Sequence, residues 1–99
     1  MSIYKPFGEQ LREKRKKQGL TVMAVSKACG TSRSYITLIE NGHRLPGKKI
    51  LPKIASALQL KTSEVLNWYL QDISRKMQIG LDISSKKPHS NILTLEKQL

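Results

Sequence analysis

The sequence predicts an all-α fold of five short helices, and three features predict it. Apolar residues recur three and four positions apart through residues 7–77, as they do along the buried face of a helix. Most of these runs open on a residue that caps a helix or presets its first turn, and close on glycine or Asn-Gly. No stretch of the first 76 residues alternates apolar and polar side chains between hairpin turns, so a sheet is not the organising element.

The first helix is expected from about Phe7 to Gln18. Pro6 sets its start, Phe7, Leu11 and the aliphatic stem of Arg15 share one stripe, and Gly19 fits the stop. Thr21 is a good N-cap for a second helix, Val22 to Ala28, which Gly30 ends. Ser32 caps a third, Arg33 to Glu40, with Ile36 and Ile39 on its apolar side, and Asn41-Gly42 reverses the chain. After the loop Leu45-Pro46-Gly47, a fourth helix from Lys48 to Leu58 buries Ile50 or Leu51, then Ile54, Ala55 and Leu58. Pro52 lacks an N–H and fits only in a first turn, which favours a start a residue or two late.

Thr62 is expected to cap a fifth helix, Ser63 to Met77, with Glu64 near its positive end. Its Val65, Leu66, Trp68, Tyr69, Leu70, Ile73 and Met77 offer more apolar surface than one buried stripe needs. Trp68 and Leu70 are therefore assigned to a contact between two copies of the chain, with ordinary core packing as the alternative for Trp68 and Tyr69. Residues 1–76 form the folded domain in this reading. Residues 77–99 form a linker, rich in serine and lysine around Pro88, and an apolar tail of Ile92, Leu93, Leu95 and Leu99.

Composition narrows the function. The chain has 99 residues, one cysteine and two histidines. Cys29 has no partner for an internal disulfide and reads as a small core hydrophobe, with redox sensing as the lesser alternative. A structural zinc or carboxylate metal site is hard to assemble from this set, and no cofactor is expected. Paired carboxylates, a nucleophile–histidine–acid set and a glycine-rich phosphate loop are all missing, so an enzyme is not expected. Nothing approaches the ~18 consecutive apolar residues of a membrane span. The N-terminal residues also lack a signal peptide's apolar stretch, so the expected location is the cytoplasm.

The formal net charge is +11, of which residues 1–60 carry +9. Besides Lys5, the cations are Arg12 and the run Lys14 to Lys17, then Lys27, Arg33, Arg44, Lys48, Lys49 and Lys53, set between apolar residues at helical spacing. They form the charged face of a folded body, and such a face suits nucleic acid or an anionic membrane surface. The membrane reading fails because the apolar stripes are needed to close the core.

Gly19 to Gly42 holds a short helix, a tight turn at Cys29-Gly30-Thr31 and a second short helix ending Ile39-Glu40-Asn41-Gly42, which is the spacing of a helix-turn-helix. A major groove admits one α-helix, and a reader of base edges needs polar residues outward and a dry face behind. Ser32, Arg33, Ser34 and Thr37 supply the first, and Ile36 and Ile39 the second.

From about Phe7 to Leu60 the chain resembles the lambda-repressor and Cro type of helix-turn-helix regulator, the Xre group. The resemblance rests on Leu11-Arg12 with Arg15, Gly19-Leu20-Thr21, Ser32-Arg33-Ser34-Tyr35-Ile36, Ile39-Glu40-Asn41-Gly42 and Leu51-Pro52-Lys53-Ile54-Ala55-Ser56-Ala57-Leu58. It implies a five-helix lambda-repressor-like DNA-binding domain with a short C-terminal tail. It also implies a third helix lying in the major groove of double-stranded DNA, homodimers on a pseudo-palindromic operator, and repression. Arg33, Ser34 and Thr37 then fall where the family contacts base edges, and Asn41, His43 and Arg44 where it touches phosphate. Lys48 and Lys49 extend that track, and the helix-capping Thr21 and Ser32 join the candidate DNA contacts. Arg15 and Glu40 match a pair that forms a largely buried salt bridge.

Two positions depart from the family pattern. Val22 stands where a Gln amide usually contacts phosphate and braces a recognition side chain, and it can do neither. Ser26 replaces a small alanine between the second and third helices, which is tolerable if its hydroxyl finds a backbone carbonyl. Three residues have two readings each. The lysines of the first helix are DNA contacts or a solvated face, Tyr35 stacks near the DNA backbone or packs against the second helix, and His43 is a phosphate contact or an exposed loop residue. The alternative function is an antitoxin-type regulator whose C-terminal segment binds a partner protein through Ile92, Leu95 and Leu99, spaced i, i+3, i+7.

Overall fold

A computed structural model describes residues 4–84, with side chains through residue 78. It contains α1 (Phe7–Lys17), α2 (Val22–Cys29), α3 (Arg33–Glu40), α4 (Leu51–Ala57) and α5 (Thr62–Ser84), and a short 3-10 turn, Lys48–Ile50, leads into α4. Among the described residues there is no strand.

The helix starts follow the chemistry of the chain. The Thr21 hydroxyl accepts the Ala24 N–H at 3.0 Å, and the Ser32 hydroxyl accepts the Tyr35 N–H at 3.1 Å. Pro52 sits in the first turn of α4, and the residues before it take the tighter 3-10 geometry; α4 therefore begins at Leu51 rather than Lys48. Thr62 is the first residue of α5 and not its cap. Glu64 instead accepts the Lys61 N–H at 3.3 Å, which is half of a capping box.

The first four helices end alike. Gly30 lies at φ +67°, its N–H bonds the Lys27 carbonyl, and the Thr31 N–H reaches back to the Ser26 carbonyl at 2.9 Å. This Schellman pairing recurs after α1 through Gly19 and Leu20, after α3 through Gly42 and His43, and after α4 through Gln59 and Leu60. Gln59 takes the left-handed conformation, φ 58°, without being glycine.

Every helix contributes to one core: Phe7 and Leu11, Val25 and Cys29, Ile36 and Ile39, Leu51, Ile54, Ala55 and Leu58, and Val65. Phe7 sits at its α5 end, with the Trp68 and Tyr69 rings edge-on at 6.0 and 6.5 Å. At Gly8, α1 meets the end of α3 so closely that a Cβ would lie 2.8 Å from the Ile39 carbonyl carbon and 2.9 Å from the Glu40 Cα. No residue but glycine lets the two backbones approach this far.

α5 runs on to Ser84, past the expected end at Met77, so the first residues assigned to the linker continue the helix. The expected tail residues Ile92, Leu93, Leu95 and Leu99 lie outside the described residues, and with them the proposed partner-binding stripe. Among the described residues no helix is long and apolar enough to cross a membrane.

Candidate nucleic-acid interface

α2 and α3 are joined by the Gly30 turn. Ser26, buried in α2, donates its hydroxyl proton to the Met23 carbonyl at 2.8 Å, so its polar atom is satisfied within its own helix. Val22 packs against the core. With Ile36 and Ile39 buried, the opposite side of α3 is left outward, and Arg33, Ser34, Thr37 and Leu38 together line a shallow concavity there. Among the described residues Arg33 has neither an ion pair nor a hydrogen-bond partner.

The far end of α3 is fixed to α1. Arg15 Nε donates to Glu40 Oε2 at 2.7 Å and Nη2 to Oε1 at 3.0 Å, a forked pair with both residues buried. Arg15 Nη1 also donates to the Leu20 carbonyl at 2.8 Å, tying the turn before α2 into the same network. The hydrogen bond to Glu40 raises the guanidinium pKa further, against the effect of burial, so Arg15 is charged throughout the working pH range. Glu40 therefore ties the C-terminal end of α3 to α1 and to the turn before α2.

One turn before Arg15 stands Arg12, whose Nε lies 3.5 Å from Glu40 Oε1 and whose Nη2 donates to Asn41 Oδ1 at 3.1 Å. The Asn41 oxygen is thus held by Arg12, and its amide N–H2 makes no hydrogen bond among the described residues. The sequence reading counts Arg12 among the cations and the family-matching residues but does not assign it to the site. The available signal was its spacing from Arg15, three residues back on the same helical face.

Tyr35 is half-buried against the core. Its hydroxyl accepts the Gly47 N–H at 3.0 Å, and the Arg44 guanidinium lies over its ring, 5.1 Å from the centroid. The loop after α3 is thus braced by a residue of α3. His43, Arg44, Lys48 and Lys49 are exposed along it and along the 3-10 turn, on the track expected to meet phosphate. Thr21 and Ser32 are also exposed, although their hydroxyls already serve as caps.

The other assigned residues lie elsewhere. Trp68 is half-buried against Phe7, so its packing is largely within the chain, and Leu70 is 52% exposed on the outer side of α5. Cys29 is fully buried, and burial pushes its thiol pKa up despite the nearby Lys53, so a reactive thiolate is disfavoured at neutral pH. Among the described residues no group of three or more His, Cys, Asp or Glu side chains is arranged to hold a metal.

Known proteins share this architecture. A family model described as helix-turn-helix matches residues 11–65, more than half of the chain. The ImmF control region 10 kDa protein of Bacillus phage phi105 is 41% identical over 56 residues, which span 57% of this chain and 62% of the phage protein. The chain thus covers less than two thirds of that relative's length. Among solved structures, the restriction-modification controller protein C.AhdI from Aeromonas hydrophila superposes with a TM-score of 0.57 at 34% identity, covering 60% of this chain and 89% of the controller. The DNA-binding domain of the P22 C2 repressor superposes with a TM-score of 0.61 at 28% identity, covering 66% of this chain and 86% of that domain. The α1–Glu40 brace, the α2–turn–α3 unit and these likenesses place the chain in the lambda-repressor-like helix-turn-helix family of DNA-binding transcriptional regulators.

Proposed function

We propose that the chain is a sequence-specific, cytoplasmic repressor that binds a pseudo-palindromic operator in double-stranded DNA as a homodimer. The observation that carries this reading is the outward side of α3. Arg33, Ser34 and Thr37 stand there together on a helix braced from behind by the buried Arg15–Glu40 pair, and Arg33 is not consumed by any partner among the described residues. A guanidinium in this position suits the O6 and N7 of guanine, and the cations that follow suit phosphate.

The dimer is supported by α5. Leu66, Leu70 and Met77 are 40%, 52% and 61% exposed, and their spacing of four and seven residues sets them along one side of the helix. Leu70, on that side, is the proposed contact between copies; Trp68, two residues away, stands on the opposite side of α5 against Phe7 and is left out of it. A repressor role is in keeping with the P22 C2 repressor, whose DNA-binding domain has the same fold.

The test is selection of bound DNA from a random pool at physiological salt. An enriched inverted repeat is expected. A lone half-site would reject the symmetric dimer, and no enrichment would overturn sequence-specific binding.

A further inference from the structure

We infer that Leu38 is a specificity determinant that reads the C5-methyl group of a thymine beside the base met by Arg33; the inference rests on the DNA-binding reading above and deepens it. α3 carries four aliphatic or aromatic residues between Tyr35 and Ile39, and three of them serve the fold. Ile36 and Ile39 are fully buried, and Tyr35 braces the following loop. Leu38 is 41% exposed and lies instead on the outward side.

The neighbours of Leu38 are what distinguish it from a scattered surface leucine. It shares one concavity with Arg33, Ser34 and Thr37, all of which are polar. Positions 33, 34, 37 and 38 follow one another around the same face of a helix, so whatever Arg33 and Ser34 approach, Leu38 approaches about one turn later. The backbone carbonyl of Leu38 is engaged by the His43 N–H at 2.9 Å, which fixes the last turn of α3 beneath it.

The chemistry of the groove then selects the occupant. Guanine, cytosine and adenine present only donors and acceptors in the major groove, and thymine adds the single apolar group. An isobutyl side chain laid on a donor or acceptor would strip it of water without replacing the bond, whereas on a methyl group it removes apolar surface from water on both sides. Leu38 thus favours thymine and disfavours the other three bases at one position of each half-site.

The experiment uses the full chain and the DNA recovered from the random pool. Each thymine in turn is replaced by deoxyuridine, which removes the methyl and keeps every hydrogen-bonding group. At one position per half-site the substitution is expected to weaken binding about threefold to tenfold, the scale of one or two buried methyl groups. Leu38→Ala should abolish that difference, and Arg33→Ala should retain it while weakening binding overall. If no deoxyuridine affects the unaltered protein, or if the effect survives in Leu38→Ala, the assignment is overturned while the DNA-binding reading stands. Absence of any enriched sequence overturns both.

Discussion

The Asp72 carboxylate on α5 accepts the backbone N–H of Phe7, the first residue of α1, at 3.1 Å. Pro6 precedes α1 and supplies no side-chain cap, so a residue 65 positions away in sequence performs that task. Its negative charge also lies at the positive end of the helix. Asp72 is 3% exposed, and its removal leaves a buried donor without a partner. Asp72→Ala is expected to lower the stability to urea unfolding by about 1–3 kcal/mol. A change within a few tenths of a kcal/mol would show that the cap adds nothing.

The second partner of Asp72 is the Tyr4 hydroxyl, which donates to Oδ1. Burial, this hydrogen bond and the charge of Asp72 push the Tyr4 pKa up to about 12, while Arg75, set over the ring, works the other way. The ordinary value is about 10. Below it both folded and unfolded chains hold the proton. Between about pH 10 and pH 12 the unfolded chain releases it first, so stability falls as pH rises through that window. Tyr4→Phe removes this component. Urea midpoints measured from about pH 9 to pH 11.5 should fall less steeply for Tyr4→Phe than for the unaltered chain, and parallel curves would refute the coupling.

Gln59 occupies, after α4, the left-handed position that Gly19, Gly30 and Gly42 occupy after the first three helices. A side chain there meets its own backbone, and glycine does not. Gln59→Gly should stabilise the domain by about 0.5–1 kcal/mol, less whatever the freer glycine gives back to the unfolded chain. A rise in urea midpoint without a change in slope would verify it; destabilisation would show that the side chain of Gln59 makes a compensating contact.

The same residue shows why parts of the fold were legible and others were not. Three helix ends were marked by glycine, which has one physical reason to be there, and α1 to α3 fell within a residue of their expected bounds. The end of α4 carried no such mark. Thr62 looked like a cap by residue type, yet Glu64 performs the task from inside the helix. At the site, local spacing placed Arg33, Ser34 and Thr37 together, and Arg15 and Glu40 meet as the family pattern led one to expect. Arg12 holding Asn41, Tyr35 holding Gly47 and Asp72 holding Phe7 join residues 29, 12 and 65 positions apart, and no periodicity within one helix encodes such pairings.

The two arginines that face Glu40 should differ in weight. Arg15 makes the forked contact from a buried position, and Arg12 approaches from 3.5 Å with its side chain 46% exposed. Glu40→Ala strands the buried Arg15 and is expected to cost about 3 kcal/mol or more. Arg12→Ala removes a longer, half-exposed contact and leaves Glu40 still held by Arg15, so it should cost less, about 1 kcal/mol. Urea unfolding of both variants decides the matter, and equal losses would contradict the division.

Arg12 has a second expected effect, on binding, that separates it from Lys48 and Lys49. Loss of Arg12 frees the Asn41 amide to rotate, whereas each lysine acts as an exposed charge along the phosphate track. Replacing Lys48 or Lys49 by alanine should weaken binding to every DNA sequence alike and lower the slope of log K against log salt by about 0.9 for each phosphate no longer neutralised. Arg33→Ala should leave that slope nearly unchanged, cost about 1–3 kcal/mol on the selected operator and little on unrelated DNA. Titrations at several salt concentrations on both DNAs separate the roles, because a charge that only meets phosphate cannot distinguish two sequences. Equal losses for Arg33→Ala on operator and unrelated DNA would move it from base reading to the phosphate track.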